Sequence, residues 1–197
     1  MGTGQEGGVN SKAYRRGDVI YSAGDRPAGL YFINKGLVGL VIQTPEGKEH
    51  LVRLFKCDHY FGHRSYFAEE KYHATARALE EVVVTFYPRE AIEEKLKTDP
   101  KFVRQLLKTL AVELKMAEMK IVSLSEKEVA GRIAEALIYL KELFPNHYWT
   151  RQEIADFCGS TAPTVIRTLS QFESEGWIRQ QGREIQIVDK TRLLELS

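Results

Sequence analysis

The sequence predicts an α+β chain in three parts: an antiparallel sandwich or barrel of short strands, a long amphipathic helix, and a helix-turn-helix followed by a β-hairpin. Three observations predict it. From Tyr14 to about Tyr87, short apolar stretches alternate with Gly, Asp, Pro and Asn at the spacing of an all-β domain. From Asp99 onward, apolar residues recur at heptad positions for about three heptads. Near the C-terminus, Ala155, Gly159 and Val165 take the positions that a helix-turn-helix requires.

Composition narrows the class. The chain has 197 residues, which at ~100–200 residues per domain means one or two domains. Hydrophobic residues make up 43% and charged residues 28%, which excludes wholesale disorder. No apolar run approaches the ~20 residues of a bilayer span; Leu37–Ile42 is short by comparison. No membrane partner is therefore expected. The N-terminus carries no apolar h-region, and the two cysteines, Cys57 and Cys158, form no CxxC pair, so a reducing cytoplasm is the expected location. Basic and acidic residues number 14 and 13 over residues 1–98, 8 and 7 over 99–149, and 6 and 7 over 150–197. No segment is globally basic, so any contact with nucleic acid rests on where charge is placed, not on its sum.

Residues 1–13 are read as a disordered lead, because Met1–Ser11 is rich in Gly. Residues 14–98 form the β domain, with strands expected at Val19–Tyr21, Gly29–Lys35, Val38–Gln43, Glu49–Phe55, His73–Ala78 and Val82–Phe86. Turns fall at Ala23-Gly24-Asp25, Asn34-Lys35-Gly36 and Pro45-Glu46-Gly47-Lys48. Asp99-Pro100 then pairs a cap residue with Pro at the first helical position. The helix over residues 99–125 carries Val103, Leu110, Ala117 and Leu124 at sevenfold spacing, with Leu107, Leu114 and Ile121 between them. That a/d stripe predicts pairing with the same helix of a second copy, while Phe102 and Leu106 lie beside it and can pack on the β domain. Ser125-Glu126-Lys127-Glu128 matches a capping box that would open a new helix, so a domain boundary is expected near Ser123–Glu128. The next helix presents Val129, Ile133, Ala136, Leu137, Leu140 and Phe144 on one face, and Pro145-Asn146 stops it.

The last fifty or so residues carry the most specific pattern. Thr150-Arg151-Gln152-Glu153 can cap a short helix, Cys158-Gly159-Ser160 can turn, and a second helix runs from about Thr161 to Ser174. Small Ala155 lets the helices approach, Gly159 supplies a left-handed residue, and branched Val165 fills the angle between them. Trp177–Gln180 and Glu184–Val188 alternate as strands around Gln181-Gly182-Arg183, the pattern of a winged helix.

With these pieces in order, the chain from about residue 14 to 197 resembles the CRP/FNR transcription regulators. In the β domain the resemblance rests on Arg16-Gly17-Asp18-Val19-Ile20-Tyr21, Gly24-Asp25, Leu30-Tyr31-Phe32-Ile33, Gly36, Gly47-Lys48-Glu49 and Tyr60-Phe61-Gly62. In the C-terminal domain it rests on Gly131-Arg132-Ile133-Ala134 and Thr150-Arg151-Gln152-Glu153-Ile154-Ala155. The family implies a jelly-roll-like β-roll of the cyclic-nucleotide-binding type over 14–98, a dimerisation helix over 99–125 and a winged-helix DNA-binding domain over 126–197. It also implies a homodimer that binds a pseudo-palindromic double-stranded operator, with RNA polymerase as a further partner.

The resemblance places DNA contacts on particular residues. Thr161, Ala162, Pro163, Thr164 and Arg167 fall at the start of the recognition helix. Arg167 aligns with the family's groove-reading Arg, whose fork suits guanine O6 and N7. Thr161 caps the helix beside a phosphate position, Thr150 and Arg151 align with backbone-contacting positions, and Arg183 sits at the wing tip. Pro163 departs from the Glu found in many members and cannot accept a hydrogen bond from cytosine, so the half-site preference is expected to differ.

The effector pocket departs further. The family's ribose-binding Glu, phosphate-binding Arg and following Ser align with His63, His73 and Ala74, and losing the bidentate cation weakens phosphate binding. cAMP is therefore not expected as a tight ligand. Gly62, His63, Arg64, Ser65, His73, Ala74 and Thr75 remain the expected pocket for an unidentified effector, with a small anion the candidate. No cofactor is required by the pattern. His50, Cys57, His59, His63 and His73 show no compact metal-ligand spacing. A metal- or anion-binding β-roll protein, cupin-like enzyme or sensor, with a protein-binding C-terminal domain, is the alternative. It would need a close His-x-His pair followed by Glu, and none occurs; no nucleophile triad, P-loop or dinucleotide fingerprint occurs either. The chain is read as a non-enzyme.

Overall fold

The computed structural model describes residues 8–196. They divide into two compact units, one through Leu114 and one from Lys115. No helix among them is long and apolar enough to cross a membrane.

The N-terminal unit is a pair of four-stranded antiparallel sheets. Strands β1 (Asn10–Tyr14), β2 (Val19–Tyr21), β3 (Gly29–Lys35), β4 (Val38–Gln43), β5 (Glu49–Phe55) and β6 (Tyr60–Phe61) precede a short helix α1 (His63–Phe67), and β7 (Thr75–Ala78) and β8 (Val82–Pro88) follow it. One sheet has the order β1-β8-β3-β6 and the other β2-β7-β4-β5. Apart from the β4–β5 hairpin, neighbours in space are distant in sequence, as in a jelly roll. Tyr21, Val38, Leu40, Phe55, Ala76 and Ala78 from one sheet pack against Ile33, Phe61, Val82 and Val84 from the other, which is the alternation that a half-buried strand predicts. Helix α2 (Arg89–Thr98) and the first turns of α3 (Pro100–Glu126) cover the outside, where Leu30, Tyr66, Ile92, Phe102 and Leu106 form a second cluster.

Two expectations are corrected here. Residues 1–7 of the expected disordered lead lie outside the described residues, but its end is a strand: β1 pairs with β8 from Asn10↔Phe86 to Tyr14↔Val82. Its side chains are polar because the backbone ladder holds it, helped by the Ser11–Thr85 hydroxyl pair at 2.7 Å, so hydropathy gave no sign of it. The second is the capping box at Ser125. Helix α3 continues to Glu126, and the Ser125 hydroxyl donates back to the Val122 carbonyl at 3.0 Å, a bond Ser makes readily inside helices. The cap of α4 (Val129–Leu143) is Glu128, without a side-chain bond to the helix. The start of α3 is as expected, with Asp99 Oδ1 accepting from the Lys101 and Phe102 N–H groups at 3.0 and 3.1 Å.

The C-terminal unit continues with α5 (Arg151–Cys158), α6 (Ala162–Ser174), the hairpin β9 (Ile178–Gln181) and β10 (Glu184–Ile187), and α7 (Lys190–Leu196). Its core gathers Ile133, Leu137, Leu140, Trp149, Ile154, Val165, Leu169, Phe172, Ile178 and Leu193, all buried. The end of α3 belongs to it: Ser123 donates to Glu135 at 2.5 Å and the Lys120 ammonium lies over the Phe157 ring at 4.4 Å. The division between units therefore falls inside α3, ahead of the 123–128 boundary read from the sequence.

Gly131 sits where α4 and α7 come close together. A Cβ there would collide with the Leu196 carbonyl of α7. In a helix interior Gly→Ala normally gains about 1 kcal/mol. Here the backbone has to move, so Gly131→Ala is expected to destabilise by about 1–3 kcal/mol, as overpacked cores do. Urea unfolding checks the sign.

Candidate nucleic-acid interface and ligand pocket

In the C-terminal unit the helix-turn-helix is assembled by local bonds. Thr150 Oγ1 accepts from the Glu153 N–H at 3.1 Å and the Glu153 carboxylate accepts from the Thr150 N–H at 2.8 Å, a complete capping box for α5. Gly159 ends α5 with φ +69°, and the Ser160 N–H closes the turn on the Ala155 carbonyl at 2.9 Å. Thr161 caps α6, accepting from the Thr164 N–H at 3.4 Å, and the two hydroxyls sit 2.9 Å apart.

Helix α6 has two unlike faces. Val165, Thr168, Leu169 and Phe172 are buried, whereas Thr161, Pro163, Ile166, Arg167 and Ser170 are exposed and Ala162 and Thr164 half-buried. The sequence reading did not single out Ile166, an apolar residue 53% exposed beside Arg167; its position one residue from Arg167 was the available signal. Arg183 is exposed in the turn between β9 and β10. Arg151 differs from expectation in that its guanidinium is already engaged. It donates to the Arg183 carbonyl at 3.1 Å and to Gln180 Oε1 at 2.5 Å, and Gln180 in turn bonds Glu173 of α6. Arg151 thus ties α5 to the wing. Arg132, of the Gly131-Arg132-Ile133-Ala134 motif, has a structural role. It donates to the Cys158 carbonyl at 3.2 Å and the Lys127 carbonyl at 2.8 Å. Cys158 is buried, and burial raises its thiol pKa, which suits a small core residue.

Along α3, Phe102 and Leu106 are each 4% exposed, while Leu107 and Leu114 are 62% and Ile121 67% exposed. Leu124 and Ala117 are also exposed and Val103 and Leu110 half-buried. A further exposed row, Val112, Met116, Met119 and Val122, runs along the opposite side of the helix at i, i+4, i+7 spacing. It escaped a reading that followed a single stripe.

In the N-terminal unit, Gly62, His63, Arg64, Ser65 and His73 line one pocket together with Tyr21, Leu40, Arg53 and Phe55. Ala74 and Thr75 are not among its lining residues; Thr75 Oγ1 accepts from the Ala23 N–H at 3.1 Å. The pocket is small, with about 10 Å³ of space, room for about one water. Arg53 of β5 lines it, and Glu113 of α3 bonds two of its lining residues; the family positions flagged neither. Glu113 Oε2 accepts from Arg53 at 2.5 Å and from His63 Nε2 at 3.0 Å. At the mouth, Arg64 lies 3.3 Å from His73 Nδ1 and pairs with Glu70. Burial, then Arg64 and Arg53, lower the His73 pKa. His59 Nδ1 meets the Cys57 carbonyl, and among the described residues no three His, Cys, Asp or Glu side chains come together as a metal site.

Comparison with known proteins fits both units. Residues 11–99 match the model of the cyclic nucleotide-binding domain, and residues 131–196 that of the Crp-like helix-turn-helix domain. The CRP-like cAMP-activated global transcriptional regulator of Mycobacterium tuberculosis is 29% identical over 189 residues, 91% of this chain and 84% of its own. The chain belongs to the CRP/FNR family of transcription regulators. FixK2 from Bradyrhizobium japonicum has the same fold at a TM-score of 0.83 and 26% identity, covering 95% of this chain and 96% of its own. A CRP/FNR-family regulator from Thermus thermophilus does so at 0.81 and 27% identity, covering 95% and 97%. As a CRP/FNR regulator the chain is not an enzyme, which sets aside the cupin-like alternative.

Proposed function

We propose that two copies of this CRP/FNR regulator pair along α3 through Val103, Leu107, Leu110, Leu114, Ala117, Ile121 and Leu124. The pair grips a pseudo-palindromic duplex with its two α6 helices in successive major grooves. The observation that carries the reading is the two-faced α6, whose buried side is core and whose open side presents Arg167. Thr161 and Thr164 at the helix start, Thr150 at the start of α5 and Arg183 at the wing tip meet backbone phosphates, which position the protein without reading sequence. Arg151 acts mainly by holding the wing. Pro163 and Ile166 offer apolar contact, which suits thymine methyl groups more than cytosine.

In this reading residues 14–98 receive a signal, 99–125 pair the protomers and 126–197 bind DNA in the cytoplasm, with RNA polymerase as the further partner. The Mycobacterium relative is named as cAMP-activated. Here His63, His73 and Ala74 stand where cyclic-nucleotide binders carry Glu, Arg and Ser, and cAMP is not the effector. Selection of bound sequences from a random DNA pool tests the assignment. Arg167→Ala should lose about 1–3 kcal/mol of discrimination at one base pair of each half-site, and an unchanged site profile would remove Arg167 as a reader.

A further inference from the structure

Two residues that line the pocket of the β-roll, Arg53 and His63, are held by the chain's own carboxylate. Glu113 reaches them from α3, and one oxygen, Oε2, takes both the Arg53 N–H at 2.5 Å and the His63 Nε2–H at 3.0 Å. A carboxylate only accepts hydrogen bonds, so Nε2 carries the proton. His63 is 1% exposed. Its Nδ1, Glu113 Oε1 and the Tyr72 hydroxyl are buried, with no hydrogen-bond partner among the described residues. Tyr21, Leu40 and Phe55 supply apolar walls. Two donors converging on one carboxylate oxygen, with apolar walls beside them, are the recognition elements for a small carboxylate. Tyr21 stacks on Tyr72 at 3.6 Å, beside Phe61 and Phe55, so a purine does not fit alongside.

We propose that Arg53 and His63 form a site for a short-chain carboxylate, filled from within by Glu113, and that a soluble carboxylate displacing Glu113 is the signal the roll receives. The proposal rests on the reading of residues 14–98 as the signal-receiving domain. Propionate carries the same three carbons as the Glu side chain beyond Cα, so its carboxylate meets Arg53 and His63 while its chain lies against Leu40 and Phe55. Glu113 directly precedes Leu114 of the exposed α3 stripe, so its release loosens the helix at the seam itself. Because Glu113 is tethered, it competes at a high effective concentration, and the wild-type protein responds only to abundant ligand.

The test is calorimetry and thermal unfolding of the full-length chain with propionate, propionamide, inorganic phosphate and cAMP. Propionate should bind Glu113→Ala at least about tenfold more tightly than wild type and raise its Tm, while the isosteric neutral propionamide does neither. R53Q combined with E113A should lose the binding. If Glu113→Ala does not fold alone, refolding with propionate but not propionamide reads the same site. Equal response to propionamide, an undiminished response in the double variant, a preference for phosphate, or cAMP binding to wild type overturns the proposal. Operator affinity separates it from the reading beneath it. If Glu113→Ala alters DNA binding but binds no propionate, the site fails and the roll's effector role stands. If propionate binds wild type and operator affinity moves less than roughly twofold, the signalling role is overturned.

Discussion

Leu114→Glu should leave a folded monomer that no longer holds its operator. Leu114 is 62% exposed in the protomer, so the substitution costs the single chain little, and circular dichroism should be unchanged. In the proposed dimer it places two carboxylates in a leucine seam, where each must be desolvated without a partner. Sedimentation velocity should then report the mass of one subunit at concentrations where wild type is dimeric. DNA affinity should fall by about 10²–10⁴, because two linked heads gain that much from binding half-sites together. Leu106→Glu is the contrast. Leu106 is 4% exposed against Leu30, Ile92 and Phe102, so the same change one residue off the stripe should unfold the protein. A dimeric Leu114→Glu would remove α3 as the interface.

Lys120→Met should stabilise the protein at neutral pH. Lys120 is half-buried near the end of α3, and burial pushes its pKa down from 10.5 to about 8. A lysine whose folded pKa is depressed makes folding costlier while protonated. The unfolded chain holds more protons between pH 8 and 10.5, so that cost is relieved as pH rises through this window. At 1.36 kcal/mol per pH unit the ceiling is about 3 kcal/mol. The contact with Phe157 at 4.4 Å offsets part of this, and Met restores a sulfur–aromatic contact. The expected gain is about 2 kcal/mol at pH 7, shrinking toward pH 10. Denaturant unfolding at pH 7 and 10 checks it. A loss at pH 7, or a gain that grows with pH, would contradict the burial argument.

The sequence made the fold legible where pattern and packing agree. The roll's strands alternate because one face of each is core, and the α3 stripe is visible because Leu107, Leu114 and Ile121 have no reason to be apolar on a solvent-facing surface. The Thr150–Glu153 box was readable because its bonds are local. The matching motif at Ser125 misled, since the same letters inside a continuing helix bond backward. Strand β1 was hidden because a backbone ladder needs no apolar side chains. At the pocket, aligned positions identified His63, but the partners that define its chemistry come from β5 and α3. Fifty residues separate His63 from Glu113, and no local signal links them.

Arg132 spans the connection between α3 and α4 and the bend ahead of α6, through the Lys127 and Cys158 carbonyls. The two carbonyls share one planar guanidinium, so the α3–α4 connection and the turn that leads into α6 are tied through a single side chain. In the proposed reading, a shift of the backbone at residue 127 is passed to the entry of α6, the helix proposed to carry Arg167 into the groove.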